Sequence, residues 1–380
     1  MKKWLWICLF FLLFIPYNGK AEELIPNAKS GILIEVGSGK ILYEKNSHDR
    51  VSIASLTKMV EQIIILEEIE KKKIHWDDIV VVSRNASSMG GSQIYLSEGE
   101  KISVRDLMKG ISVASGNDAS VAMAEYISGS EEKFVKRMNE VVQKLGLKDT
   151  HFVNCTGLDE ENHYSSSYDL AMIARELVLH HSTILEFSSI YEDYLRENTD
   201  HKFWLVNTNK LIRFYEGADG LKTGHTDLAG YCLAATAKRD HLRLIGIILG
   251  EDNSKARNQE MMDLLDYGFQ SVQMNCILKK GTKMDTISSD LATPSTVSVI
   301  LKEDICVVEE KGKNDDYQYS THIQLPSFPI QIGDVVGNVD VFYKDQVITS
   351  GELTVSKNIF QISFFSFLKN NFINLLYGVV

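Results

Sequence analysis

The sequence predicts an α/β domain whose antiparallel sheet is covered by helices, followed by a small all-β sandwich domain. Two observations favour this fold class. Apolar, strand-like runs stand at both ends of region 22–275, and stretches of helical periodicity lie between them. Short β-branched runs, separated by turn residues, then fill region 276–357. We therefore expect the two ends of the first region to meet in one sheet.

The first region begins with a hairpin pattern. Apolar runs at 31–36 and 40–43 flank Gly37-Ser38-Gly39, which suits a tight turn. Apolar residues then recur at helical spacing from 54 to 70. Further elements are predicted in chain order: helices over 117–128, 131–145, 166–180 and 257–270, and strands over 230–237 and 242–249.

The second region begins after Tyr267-Gly268-Phe269, where the character of the sequence changes. Its β-branched runs and intervening turn residues are typical of a small β-sandwich. The predicted strands cover 296–300, 306–308, 317–325, 335–343 and 347–355.

The two ends of the chain are predicted to lie outside these domains. Lys2 and Lys3 precede an apolar run, and Gly19-Lys20-Ala21 offers a cleavage site, so 1–21 is interpreted as a signal peptide. An uncleaved membrane anchor is the alternative. Segment 358–380 places polar and apolar residues on opposite helical faces, which predicts an amphipathic helix on a membrane surface. A terminal helix packed on the β domain and a transmembrane helix are the alternatives there.

Composition narrows the classes of partner and site. The 380-residue chain has a formal net charge of −11, and an acidic surface argues against a nucleic-acid partner. After the predicted signal peptide, four cysteines remain at scattered positions that fit neither a zinc site nor a disulfide-dense scaffold. We expect buried or unpaired thiols, with one disulfide as the alternative, at Cys155, Cys232, Cys276 and Cys306.

The sequence Ser55-Leu56-Thr57-Lys58 offers a nucleophile beside a base. A serine hydroxyl is a poor nucleophile until a base takes its proton, and Lys58 shares a helical face with Ser55. Ser55 would lie in the first turn of its helix, where free N–H groups and the helix dipole favour negative charge. Burial or a nearby cation would lower the pKa of Lys58 enough for general-base catalysis. Taken alone, the pattern is as easily explained by chance.

Two further motifs follow, Ser115-Gly116-Asn117 and Lys222-Thr223-Gly224. The first falls in a tight loop between predicted helices, where Ser115 would relay a proton to a leaving amine and Asn117 would hydrogen-bond a substrate amide. The second leads into strand 230–237. Taken alone, the first is a plain turn with a helix cap, and the second is an edge-strand lysine beside a turn.

The third motif suits an acidic ligand. A cation and a hydroxyl at a strand edge, Lys222 and Thr223, match a carboxylate. Gly224 leaves room for close approach of a ligand backbone. The main-chain N–H of His225, paired with that of Ser55, would form an oxyanion hole.

The three motifs occur in an order that is the signature of penicillin-interacting serine acyltransferases. Additional matching stretches are 89–93, 154–158, 163–165, 207–209, 219–226 and 264–269. Over essentially its whole length, the chain resembles the low-molecular-mass penicillin-binding proteins, which are serine-type D-alanyl-D-alanine carboxypeptidases. Stretch 191–219 most resembles the sporulation-associated members from Gram-positive bacteria.

The resemblance implies a fold and a set of roles. The fold would be a β-lactamase/transpeptidase-like domain, a β-sandwich and a C-terminal helix. Ser55 would be the acylated nucleophile and Lys58 its proton acceptor, while Ser115 and Asn117 would form the second catalytic element. Lys222 and Thr223 would bind the substrate carboxylate, together with Arg257, for which a plain surface charge is the alternative. His163 matches a family motif, but we expect it to serve packing or loop hydrogen bonding.

The implied reaction removes the terminal D-alanine from the pentapeptide stem of peptidoglycan through a Ser55 ester, which water then hydrolyses. It needs no metal or cofactor, and β-lactams would acylate the same serine. The enzyme would act at the outer face of the cytoplasmic membrane. A β-lactamase is one alternative, although no E-x-x-L-N stretch that would supply a deacylating glutamate lies between Asn117 and Lys222. A non-catalytic peptidoglycan-binding scaffold is the other, although neither nucleophile nor base is missing.

Overall fold

The computed structural model describes residues 23–197, 199–313, 315–363 and 365. The predicted signal peptide 1–21 lies outside the described residues, as does most of the predicted helix 358–380. The described part of that helix differs from the prediction, because Phe360–Gln361 is a short strand. Its backbone pairs with Ala292–Thr293, and such pairing is incompatible with a helix.

The first domain contains nine strands and nine helices among the described residues. The strands are β1 Ser30–Glu35, β2 Ile41–Lys45, β3 Ile79–Val81, β4 Lys101–Ser103, β5 Glu192–Leu195, β6 Phe203–Val206, β7 Ala218–Thr226, β8 Gly230–Arg239 and β9 Leu242–Glu251. The helices are α1 Lys58–Glu70, α2 Arg84–Ser87, α3 Val104–Lys109, α4 Asn117–Ser128, α5 Glu131–Lys144, α6 Ser167–His180, α7 Ile184–Ser188, α8 Leu211–Phe214 and α9 Ser254–Ser271. A 3-10 turn, Ala54–Thr57, leads into α1, and a π turn, Gly110–Ala114, follows α3.

Five of these strands form the central antiparallel sheet, in the order β2-β1-β9-β8-β7. The N-terminal strand β1 pairs with the late strand β9, so both ends of the domain meet in one sheet, as predicted. Side chains alternate between two cores along β1. Ile32 and Ile34 face the core that contains α1, whereas Leu33 faces the core that contains α9. The sheet is thus covered by helices on both faces, and the predicted fold class is confirmed.

Helix α1 is buried on every side. Ile63, Ile64, Ile65 and Leu66 are consecutive, so they point in different directions around the helix, yet each is at most 1 % exposed. The polar residues of its first turns, Lys58, Glu61 and Gln62, are buried along with these apolar neighbours, whereas Glu70 at the C-terminal end is exposed. The start of α1 thus places the Ser55–Lys58 motif against the core.

The second domain is built from antiparallel strands, as predicted. They are β10 Val272–Leu278, β11 Lys283–Ser288, β12 Ala292–Thr293, β13 Thr296–Leu301, β14 Ile305–Glu310, β15 Gln318–Ile323, β16 Gly337–Tyr343, β17 Gln346–Val355 and β18 Phe360–Gln361. Five of them form one sheet in the order β11-β13-β17-β16-β15, and β10 pairs with β14. Valines at alternate positions of β13 and β16 fill the core of this domain. The predicted boundary between 275 and 276 falls within β10, and the boundaries stay predictions.

The prediction of four unpaired cysteines is wrong for one pair. Cys276 and Cys306 lie directly opposite each other on β10 and β14 and form a disulfide. Their separation of 30 residues hid this pairing, because register between distant strands is set by the tertiary fold. Cys155 and Cys232 are buried free thiols, as expected.

Candidate active site

The 3-10 turn Ala54–Thr57 carries Ser55 at the N-terminal end of α1. Ala54 adopts the left-handed region, with φ of 49°, which is costly for a residue with a side chain. The Thr57 hydroxyl donates to the Ala54 carbonyl at 2.9 Å and holds this conformation. Ser55 Oγ lies 3.3 Å from the Thr156 carbonyl oxygen. The turn therefore presents a half-buried hydroxyl beside a main-chain acceptor.

Lys58 is completely buried, and its ammonium group has three acceptors. Nζ lies 3.0 Å from Ser55 Oγ, 2.7 Å from Asn117 Oδ1 and 2.6 Å from the Thr156 carbonyl oxygen. The amide and main-chain oxygens can only accept hydrogen bonds, whereas the serine hydroxyl can also donate. In the neutral amine, the two remaining N–H groups therefore stay on Asn117 and Thr156, and the lone pair faces Ser55. This geometry suits proton removal from Ser55.

Burial favours the neutral amine of Lys58. Removal from water lowers the pKa of Lys58 to about 8, and the charges of Glu61, Cys155 and Asp118 oppose this shift. An amine with a pKa near the working pH is well matched to general-base catalysis.

The loop Ser115-Gly116 and the first residue of α4, Asn117, face the nucleophile turn. Ser115 lies in the left-handed region, with φ of 62°, and Nζ of Lys222 is 2.8 Å from its hydroxyl. The amide of Asn117 accepts from Lys58 and donates to the Gly90 carbonyl at 2.7 Å. The second motif thus contacts each of the other two. It also holds the 89–93 stretch next to the nucleophile turn, because the Asn117 N–H donates to the Ser92 carbonyl at 2.7 Å.

The third motif lies on β7, next to the nucleophile turn. Lys222 is 1 % exposed, and its pKa falls well below the usual value because of burial and the nearby charge of Lys58. Thr223 Oγ1 donates to Thr208 Oγ1 at 2.6 Å. A Cβ at Gly224 would lie 2.9 Å from both Ala54 Cβ and the Ile53 carbonyl oxygen. The glycine is therefore required by packing of β7 on the nucleophile turn, a reason different from the ligand approach inferred from sequence.

Two predicted site residues lie beside this strand. Arg257, at the start of α9, is 5 % exposed, so the alternative of a surface charge does not hold. Its guanidinium donates to the Asn258 side chain and, at 3.5 Å, to the carbonyl of Cys232. Cys232 pairs with Gly224 across β8 and β7. The His225 ring is exposed and stacks on Tyr231, which leaves its role to the main chain.

Sequence reasoning missed two contributors to the site, the Thr156 carbonyl and the Glu61 carboxyl. The Thr156 carbonyl accepts from Lys58, and nothing in a side-chain pattern marks a main-chain acceptor. His163 hydrogen-bonds Thr57 at 2.8 Å, in keeping with the loop role expected for it. Glu61 stands one helical turn beyond Lys58 and is fully buried. An acidic residue inside the apolar helix α1 was the available signal for Glu61.

Comparison with known proteins places this site in a family context. The family model described as D-alanyl-D-alanine carboxypeptidase matches residues 19–253, and the model described as the C-terminal domain of penicillin-binding protein 5 matches 273–360. The chain is 44% identical to the D-alanyl-D-alanine carboxypeptidase DacF of Bacillus subtilis, covering 94% of this chain and 92% of that protein.

Solved structures give the same picture. A peptidoglycan synthesis regulatory factor, PBP3, from Streptococcus pneumoniae superposes with a TM-score of 0.76 at 29% identity, over 87% of this chain and 99% of that one. Penicillin-binding protein D2 from Listeria monocytogenes, in its ampicillin-bound form, superposes with a TM-score of 0.58 at 32% identity. That alignment covers 64% of this chain and 98% of the Listeria protein.

Proposed function

This chain belongs to the D-alanyl-D-alanine carboxypeptidase family and is a penicillin-binding serine carboxypeptidase of the cell wall, and from that premise we propose that Ser55 is its nucleophile. The substrate is the pentapeptide stem of peptidoglycan, from which the terminal D-alanine is removed. One observation carries the assignment. A fully buried lysine, Lys58, has its amine 3.0 Å from the Ser55 hydroxyl, with its other two acceptors already fixed.

The proposed acylation follows from these contacts. Lys58 takes the Ser55 proton as the oxygen attacks the penultimate D-alanine carbonyl, and the N–H groups of Ser55 and His225 receive the developing oxyanion. The proton reaches the leaving D-alanine nitrogen through Ser115. Water then attacks the ester with Lys58 again as base, which releases the shortened peptide and restores the serine.

Substrate selection is proposed to rest on the terminal carboxylate. Lys222 and Thr223 offer a cation and a hydroxyl on the same strand, and the Arg257 guanidinium adds positive charge from the start of α9. A buried cation strengthens a charge-assisted hydrogen bond, because water does not compete for it. β-Lactam antibiotics carry a carboxylate and a reactive carbonyl in similar positions, and are expected to acylate Ser55 as well.

Covalent labelling tests this assignment. Wild-type protein is incubated with a fluorescent penicillin, and the modified peptide is mapped by mass spectrometry. Label is expected on Ser55, and Ser55→Ala should lose both labelling and D-alanine release. Lys58→Arg keeps a long cation that does not deprotonate, so acylation should fall by roughly 10²–10⁴-fold. Lys73→Arg, at an exposed position on the surface, serves as the matched control. Label on another residue, or full acylation of Ser55→Ala, would exclude the proposed nucleophile.

The enzyme acts outside the cytoplasm, and we further propose that its C-terminal end attaches it to the outer face of the cytoplasmic membrane. Among the described helices, none has both the length and the apolar composition that a bilayer crossing requires. Exposed apolar side chains gather where the described chain ends: Leu291, Ile332 and Phe360 are 50 %, 62 % and 53 % exposed. Ile362 N–H donates to the Leu291 carbonyl, and Ile332 N–H donates to Asn358, so these segments are neighbours. Such a patch beside an apolar terminal segment suits a membrane surface. The role in sporulation stays a prediction.

A further inference from the structure

Glu61 is a buried carboxylate for which the reaction outlined above has no role. It lies on α1 three residues after Lys58 and is 0 % exposed. Within the described part of the chain, neither of its carboxylate oxygens has a hydrogen-bond partner. The Ser120 hydroxyl on α4 is near enough to lower the pKa of the carboxyl, but it is buried as well and makes no hydrogen bond of normal distance and angle.

An ionised carboxylate in such a place is unfavourable. Burying a charge without hydrogen bonds costs several kcal/mol, and proteins usually respond by neutralising the group. Charged and titratable groups face the Lys58–Glu61 region from each neighbouring element: Lys222 on β7, Asp118 on α4, Glu131 on α5, and Cys155 and His163 in the loops after α5. Two of the nearby cations, Lys58 and Lys222, are themselves buried.

Lys58 and Glu61 share one helix face, but the Lys58 amine contacts Ser55, Asn117 and Thr156, and the Glu61 oxygens have no hydrogen-bond partner among the described residues. Without close contact, attraction between an ammonium and a carboxylate does not offset the loss of hydration of both ions. The neutral pair, an amine and a carboxylic acid, holds the same number of protons and has the same net charge. It avoids both desolvation costs.

We propose that Glu61 is the proton partner of Lys58, and that the two side chains hold a single proton between them in the resting enzyme. This inference rests on the proposed role of Lys58 as the general base. The exchange is balanced: the Lys58 ammonium loses a proton to become an amine, and the Glu61 carboxylate gains it to become a carboxylic acid. Glu61 touches no substrate and is a positioning residue that acts through Lys58.

The directions of the two pKa shifts agree with one proton being shared by Lys58 and Glu61. Burial raises the pKa of the Glu61 carboxyl and lowers that of the Lys58 amine, so the proton affinities of the two groups move toward each other. Two coupled groups of similar affinity titrate as a pair, in two macroscopic steps. The first step, with rising pH, leaves one proton on the pair, so a constant fraction of the enzyme has the amine on Lys58. The second step removes that proton and makes all of the enzyme competent.

The pH dependence of acylation tests the proposal. The rate of Ser55 acylation by a fluorescent penicillin is measured by stopped flow on the full chain. Wild type is expected to rise in two steps. Glu61→Gln removes the carboxylate that attracts the proton to Lys58, so its profile should rise in one step. The midpoint of that step should lie roughly one to three pH units below the second wild-type step, because a nearby opposite charge usually shifts a pKa by that amount.

Glu67→Gln is the matched control, because it makes the same chemical change on the same helix at a carboxylate paired with Lys71 on the surface. It should keep the two-step wild-type profile. Infrared spectroscopy adds a readout independent of activity: the difference spectrum between wild type and Glu61→Gln at neutral pH should contain a protonated carboxyl band, whereas the contribution of Glu251, whose pKa burial raises to about 8, should cancel.

The outcomes separate this inference from the proposed function. A wild-type protein that forms no adduct on Ser55 would remove the proposed function itself. An adduct on Ser55 with a single-step wild-type profile, or the same profile for wild type and Glu61→Gln, would overturn the proton partnership alone. Absence of a carboxyl band from the difference spectrum would do the same. If Glu61→Gln fails to fold, the number of steps in the wild-type profile still decides.

Discussion

His163 Nε2 lies 2.8 Å from Thr57 Oγ1, at the turn that presents the nucleophile. The Val153 N–H donates to Nδ1 of the same ring, so the ring proton is on Nε2 and is donated to Thr57. Thr57 in turn donates to the Ala54 carbonyl. A neutral imidazole therefore stabilises the unusual conformation immediately before Ser55.

This arrangement predicts a specific loss of stability in acid. Burial lowers the pKa of His163 to about 4, whereas a histidine in the unfolded chain titrates near 6.5. Between these values the unfolded state binds more protons, so the contribution of His163 is complete above pH ~6.5 and declines as the pH falls toward 4. His163→Gln keeps a donor near Nε2 without a titrating ring, and should remove up to roughly 3 kcal/mol of this dependence. Urea unfolding at neutral pH and near pH 4 measures it.

His180→Gln provides the control, because that side chain is 62 % exposed at the end of α6. The loss of unfolding free energy between neutral pH and pH ~4 should be the same in this variant as in wild type. Unchanged acid sensitivity in His163→Gln would mean that other groups cause the loss.

Lys222 is proposed to bind the substrate carboxylate, so removing its charge should weaken carboxylate recognition. Lys222→Met keeps the length and bulk of the side chain but removes the charge. Loss of a hydrogen bond to a charged group costs about 1.5–3 kcal/mol, which corresponds to roughly a 10- to 150-fold fall in kcat/KM. The measurement compares a peptide ending in D-alanyl-D-alanine with its C-terminal amide. Wild type should prefer the acid strongly, and the variant should lose most of that preference.

Lys238→Met, on the exposed end of the adjacent strand β8, is the matched control and should keep wild-type discrimination. If Lys222→Met still distinguishes acid from amide as wild type does, another cation binds the carboxylate, and Arg257 becomes the residue to test.

The backbone of Gly157 lies so close to the nucleophile turn that position 157 has no room for a side chain. It has φ of 83°, and a Cβ there would overlap the Ala54 carbonyl and lie 2.9 Å from Ser55 N. Gly157→Ala should therefore displace the turn and greatly slow acylation, with a loss of unfolding free energy beyond the ~1 kcal/mol that alanine costs at a left-handed position. Thermal unfolding and penicillin labelling measure the two effects.

Gly146→Ala separates strain from collision. Gly146 also has a positive φ, of 71°, but a Cβ there would meet no atom within 4 Å. It should lose only the conformational part of the stability and keep full acylation. Equal effects of the two substitutions would show that the contact with the Ala54 carbonyl is unimportant.

The C-terminal segment predicts membrane binding that is insensitive to salt. Stretch 359–380 contains one charged residue, Lys369. Its affinity for a membrane should therefore depend on burial of apolar side chains rather than on charge. The full chain should sediment with zwitterionic phosphatidylcholine vesicles at low and high ionic strength. Changing Leu375 and Leu376 together to Asp should leave the protein in the supernatant. Leu228→Asp, at an exposed apolar position of the first domain, should still sediment. Binding that requires anionic lipid, or that survives the double change, would contradict the proposed attachment.

Much of the fold was accessible from sequence because it depends on local spacing. The apolar period of α1, the hairpin around Gly37-Ser38-Gly39 and the β-branched runs of the second domain each express a repeat of 3.6 or 2 residues. The placement of Ser55 and Lys58 on one helix face follows from the same geometry. The strand Phe360–Gln361 was missed, since its pairing partner lies about 70 residues earlier and pairing overrode the helical pattern.

The sequence by itself determined which chemical groups the site contains and their spacing along α1. Only the tertiary structure decided their state. Lys58 becomes a candidate base because packing removes it from water and places the Thr156 carbonyl 2.6 Å away. Lys222 meets Ser115 across 107 residues of chain, and Glu61 is left without a hydrogen-bond partner in the part of the chain that the structure describes. Burial and long-range contacts arise from the packing of the whole domain, so a short motif specifies reactive groups but not their protonation.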